Sequence, residues 1–73
     1  MTFYELRETL HNKNGTTYTT YGIDAFDSKS NTLLESFPDL SFEKSEVTAL
    51  ITVCNKLQLD IVHLHDVVED FIS

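Results

Sequence analysis

Tryptophan is absent from this 73-residue chain, and proline, methionine and cysteine occur once each. A lone cysteine, Cys54, excludes an internal disulfide framework, and its place in an apolar helical pattern suits a buried, reduced thiol in a cytoplasmic protein. There are only two glycines, so no Gly-rich loop can cradle a phosphate. Basic residues are also scarce. Five Lys and Arg against twelve Asp and Glu leave a net charge of −7, which would repel a phosphate backbone or an anionic membrane surface. Long apolar runs are missing too, and charges begin at Glu5, so neither a spanning segment nor a signal peptide is expected.

What remains is enough for one fold. A hydrophobic fraction of 41% supports a core, but a chain this short supports only one, so a single domain over residues 1–73 is expected. Small cores usually need a disulfide, a metal or a second subunit, and the first is excluded. A homodimer or a stabilising partner therefore fits a chain of this size.

The strongest local signal is Asn14-Gly15, the preferred pair for a two-residue type I′ turn. Strands from Thr2 to Leu10 and from Thr16 to Phe26 flank it. Counting outward from the turn sets Leu6 opposite Ile23, Tyr4 opposite Ala25 and Leu10 opposite Thr19, so the aliphatic residues of both strands share a face. A slip of one residue would destroy that agreement. On the other face Phe3 meets Phe26, Thr9 meets Thr20 and His11 meets Tyr18, which predicts a Thr- and Tyr-rich surface. Gly22, opposite Arg7, marks a bulge or a close backbone approach.

A third strand is expected over Thr32–Phe37, returning along the hairpin and ended by Pro38. Ser41 offers a helix cap. Helices follow over about 42–57 and 61–72. The first has Val47, Leu50, Ile51, Cys54 and Leu57 as its buried stripe and Thr48, Thr52, Asn55 and Lys56 in water. The second opens on Asp60 as cap and buries Ile61, Leu64, Val68, Phe71 and Ile72. The predicted class is α+β, an antiparallel hairpin with a third strand packed by two C-terminal helices (β-β-β-α-α), with the sheet over 2–37.

The segments Tyr21-Gly22-Ile23, Cys54-Asn55, His63-Leu64 and Asp66-Val67-Val68-Glu69-Asp70-Phe71 resemble a family of short proteins from clostridia-like Gram-positive bacteria, known as a domain of unknown function. The resemblance spans most of the chain. It implies a bacterial or phage origin and a hairpin-then-helices layout, and brings no catalytic residues with it.

The densest set of chemically competent side chains is His63, His65, Asp66, Glu69 and Asp70. Helical spacing puts His63, Asp66 and Asp70 on one face and pairs His65 with Glu69. The strong zinc spacings are absent, and one helix without a second element makes a poor metal site, so weak divalent-metal binding is only an alternative reading. No metal and no cofactor is expected. Nothing in the sequence sets a nucleophile beside a base, and no enzyme activity is expected. Asp60, Asp66, Glu69 and Asp70 leave the chain from Leu57 onward acidic without one Lys or Arg, and the last two crowd the negative end of a helix dipole. Local stability does not account for them. They form one candidate partner-binding surface, and Tyr18 with His11 form another.

The functional expectation is a small acidic interaction protein, a regulator or inhibitor that docks on a basic protein surface. A phage-encoded inhibitor of a host nucleic-acid-binding or defence protein is a specific form of it. A purely structural homodimer is the remaining alternative.

Overall fold

Asn14 and Gly15 both take positive φ, 53° and 80°, as a type I′ turn requires. In the computed structural model, which describes every residue from Met1 to Ser73, this turn joins strands β1 (Thr2–Lys13) and β2 (Thr16–Asp27). Strand β3 (Leu33–Ser41), helix α1 (Lys44–Lys56), a 3₁₀ turn (Ile61–His63) and helix α2 (Leu64–Ile72) follow. The strands make one antiparallel sheet ordered β1-β2-β3, so the chain is α+β with the layout β-β-β-α-α.

The register is the one read outward from the turn: Leu6 faces Ile23, Tyr4 faces Ala25, and His11 faces Tyr18. Tyr4, Ile23 and Ala25 of the sheet pack against Val47, Ile51 and Cys54 of α1 and against Leu64 and Val68 of α2, forming one buried core. Each fully buried aliphatic side chain contributes about 1.5–3 kcal/mol. Cys54 is a free, buried thiol whose pKa is raised by that burial.

The stripes end sooner than helical periodicity predicts. Leu57 is 70% exposed and Ile72 60% exposed; Leu57 caps the end of α1 and Ile72 is the last residue of α2. Leu10 keeps its predicted face, yet it is 72% exposed, since the twelve-residue strands of the hairpin outrun the helices that cover the middle of the sheet.

Pro38 does not stop the third strand. β3 continues through it to Ser41 by bulging: Pro38, Asp39 and Leu40 lie between the pairs Phe37–Ile23 and Ser41–Tyr21, where β2 has only Gly22. Proline is tolerated because β3 is an edge strand, where a missing amide costs no ladder bond. The bulge brings the backbone onto Gly22. A Cβ there would overlap the carbonyl oxygen of Phe37 and lie 2.8 Å from the Cα of Pro38.

The first helix also starts later than predicted. Glu43, not Ser41, holds the cap position, without a side-chain cap bond. The Ser41 hydroxyl instead accepts the Glu43 amide at 2.9 Å, turning the chain one step before the helix. Asp60 caps as predicted, accepting the Val62 amide at 3.1 Å, but the first turn it opens is 3₁₀ and the α-helix proper begins at Leu64.

Asn55 is exposed, as expected, and its carboxamide also accepts the Tyr4 amide at 2.8 Å and donates to the Tyr4 carbonyl at 2.9 Å, closing the outer edge of β1 at that residue. Just beyond α1, Gln58 adopts φ 51° and the Leu59 amide reaches back to the Cys54 carbonyl. This left-handed helix ending aims the Leu59 carbonyl at the sheet. The Tyr4 hydroxyl donates to it at 2.6 Å.

Candidate functional site

The bulge in β3 builds the one recess of the chain, at the end of the sheet nearest the hairpin turn. Asp39 sits in it at φ 60°, a left-handed conformation that aspartate tolerates better than most residues. That backbone turns its carboxylate toward β2 and β1. Its Oδ1 accepts a hydrogen bond from the Thr20 hydroxyl and lies 2.9 Å from Nε2 of His11. The same Nε2 lies 2.9 Å from Oγ1 of Thr20. A carboxylate only accepts, and the Thr20 proton is committed to it, so Nε2 carries a hydrogen shared between the two oxygens. The Thr20 hydrogen bond, then the His11 hydrogen bond, hold the Asp39 carboxyl below the usual aspartate range.

Aromatic rings wall the recess. His11 stacks on Tyr18 at 4.8 Å and 13°, and Tyr18 meets Phe42 at 6.1 Å in a tilted pair. Phe42 is 71% exposed. Leu40 and Ser41 complete the lining of a cavity of about 340 Å³. The Thr- and Tyr-rich face expected there is therefore interrupted: Thr20 is buried beneath the bulge and serves the polar cluster.

Threonine, histidine and aspartate in mutual contact invite comparison with a nucleophile-base-acid relay, but the connectivity differs. A relay uses the two imidazole nitrogens for different partners, with the hydroxyl giving its proton to the ring. Here one nitrogen serves both oxygens, and the hydroxyl gives its proton to the carboxylate. The arrangement fixes the ring and presents a carboxylate. It does not activate a buried hydroxyl.

Of the predicted partner-binding residues, the structure brings His11 and Tyr18 together and adds Asp39, which lies far from both in sequence. Asp60, Asp66, Glu69 and Asp70 form a separate exposed surface on the last helical segment, and no hydrogen bond, ion pair or ring contact links it to the recess. Beside it, His65 makes an edge contact with Phe37 of the sheet, with centroids 6.1 Å apart. His65 lies 3.7 Å from Glu69, as the spacing predicts. The tightest group of metal-competent atoms is His65, Asp66 and Glu69, within 4.8 Å of one another, rather than His63, Asp66 and Asp70. All three are exposed and come from one helix, so they do not enclose an ion.

The opposite end of the outer sheet face is simpler. Arg7 pairs with Asp24 at 3.2 Å, and the Ser36 hydroxyl donates to Asp24 at 2.6 Å. Phe3 stacks on Phe26 at 5.3 Å. No helix is long and apolar enough to cross a membrane.

No curated protein and no solved structure matches the chain significantly. One family model does match, over residues 1–73, and its description is a family of unknown function. The chain belongs to that family, DUF6514.

Proposed function

We propose that the chain is a small acidic, non-catalytic interaction protein of the cytoplasm that docks on a basic protein surface, taking a lysine or arginine side chain of that surface into the recess beside Asp39. The observation that carries this reading is an ionised carboxylate, Asp39, lining the same recess as the exposed aromatic rings Tyr18 and Phe42, in an otherwise small and acidic chain. A cation entering there gains a charge-assisted hydrogen bond and ring-face attraction together. The net charge of −7 and the basic-free surface of Asp60, Asp66, Glu69 and Asp70 add long-range steering toward such a partner. An inhibitor, phage-encoded among others, that covers the nucleic-acid-binding face of a host protein is the specific form these features favour.

Calorimetric titration with an arginine- and lysine-rich peptide tests the reading. Affinity should fall steeply with added salt and drop roughly tenfold or more in Asp39→Asn, which keeps the shape and removes the charge. An affinity that ignores both salt and the substitution would refute it.

A further inference from the structure

We propose that β1 pairs with β1 of a second copy, antiparallel and about a twofold axis at Thr9, joining the two three-stranded sheets into one. This inference does not rest on the basic-partner reading above: it concerns the edge of β1, a strand whose His11 also borders the recess.

The outer edge of β1 is open over a defined stretch. Tyr4 turns both its amide and its carbonyl away from β2, where the Asn55 carboxamide takes them. Backbone groups alternate sides along a strand, so Leu6, Glu8, Leu10 and Asn12 turn theirs the same way. No turn, cap or side-chain hydrogen bond of the chain reaches them. The edge is thus closed at Tyr4 by Asn55 and ends at Asn14, where the turn begins. The midpoint of those two stops is Thr9.

Such an edge is a template for another strand. β3, the opposite edge, is blunted by Pro38 and its bulge, and β1 has neither device. Charge then decides both the occupant and the register. Glu5 to Lys13 contains Glu5, Arg7, Glu8 and Lys13, two of each sign, in a chain whose net charge is −7; Arg7 and Glu8 already pair with Asp24 and Lys44, which leaves Glu5 and Lys13 without an ion pair of their own. A strongly basic or acidic strand from another protein meets no complementary surplus there, whereas a second copy of the stretch does.

With the axis at Thr9, Glu5 faces Lys13 of the second copy, twice, and Glu8 faces Leu10. Sliding one hydrogen-bonding step in one direction sets Glu8 against Glu8. Sliding the other way sets Arg7 against Lys13, twice. Like charges directly opposite are destabilising. The geometric midpoint and the charge pattern therefore select the same register, which also brings the exposed Leu10 against a neighbouring strand.

Sedimentation equilibrium of the wild-type chain should give a reversible dimer. In this register Thr9 faces Thr9 in a non-hydrogen-bonded pair, where Cα atoms are about 4.5 Å apart, within disulfide reach. Thr9→Cys in a Cys54→Ala background should therefore form a covalent dimer in oxidised glutathione, while Arg7→Cys in the same background should not. Glu5→Lys should weaken the dimer roughly tenfold, and Glu5→Lys with Lys13→Glu should restore it. Circular dichroism checks that each variant keeps the fold. A wild-type chain that stays monomeric, a Thr9→Cys variant that does not crosslink, or a charge swap that does not rescue would each overturn the proposal.

Discussion

The carboxamide of Asn55 does for Tyr4 what a neighbouring strand would do, accepting its amide at 2.8 Å and donating to its carbonyl at 2.9 Å. One helical side chain thereby fastens the C-terminal end of α1 to the edge of the sheet. Asn55→Ala removes both bonds and leaves Tyr4 backbone groups poorly paired at a partly buried site. A loss of about 1–3 kcal/mol in urea unfolding is expected. Asn55→Asp should also destabilise, since a carboxylate cannot donate to the Tyr4 carbonyl.

Gly22 is required by β3 rather than by its own backbone angles. A methyl there meets backbone atoms of Phe37 and Pro38, which cannot step aside as a flexible side chain would. Gly22→Ala should cost more than the roughly 1–3 kcal/mol typical of overpacking, and should displace the bulge that carries Asp39. The expected signature is a lower melting temperature together with loss of the His11–Asp39 contact, read from the histidine ring signals by NMR.

Tyr4 links pH to stability at the alkaline end. Burial first, then the charges of Cys54 and Asp60, push its phenol up to about 12. The unfolded chain releases this proton near pH 10, while the folded chain holds it longer. The unfolded state thus binds fewer protons between those values, and stability falls as pH rises through them. Spectrophotometric titration should resolve one tyrosine ionising near 12, and Tyr4→Phe should abolish that step.

Asp39 sets the opposite limb. Its folded pKa is depressed, so its contribution is fully present above the ordinary carboxylate value of about 4 and disappears as pH falls through the lower folded value. Wild type and Asp39→Asn should therefore differ in stability at neutral pH and converge in strong acid. Urea unfolding at a series of pH values checks this, and a gap that persists unchanged in acid would show that the charge is not what Asp39 contributes.

The hairpin was legible because two local signals agree: Asn14-Gly15 dictates the turn, and the aliphatic residues it aligns fall on one face. Core residues of α1 and α2 were legible from their spacing. The departures have physical reasons. Periodicity continues to Leu57 and Ile72, yet both stand at helix ends and stay exposed. Pro38 reads as a stop, and only its place on an edge strand lets β3 pass through it. A polar Asn55 beside buried Cys54 reads as solvent-facing, which it is, but its partner Tyr4 lies at the far end of the chain. Asp39 was missed for the same reason. Its place in the recess depends on a positive φ and a bulge that bring it to His11 and Thr20, and no spacing in the sequence announces that meeting.

The claim that a cationic side chain enters the recess is tested most directly by amide NMR during titration with an arginine-rich peptide. Shifts should concentrate at His11, Tyr18, Thr20, Asp39 and Phe42, with the Tyr18 ring signals moving in step. Shifts confined to Asp66, Glu69 and Asp70 of α2, or no shifts at all, would contradict it.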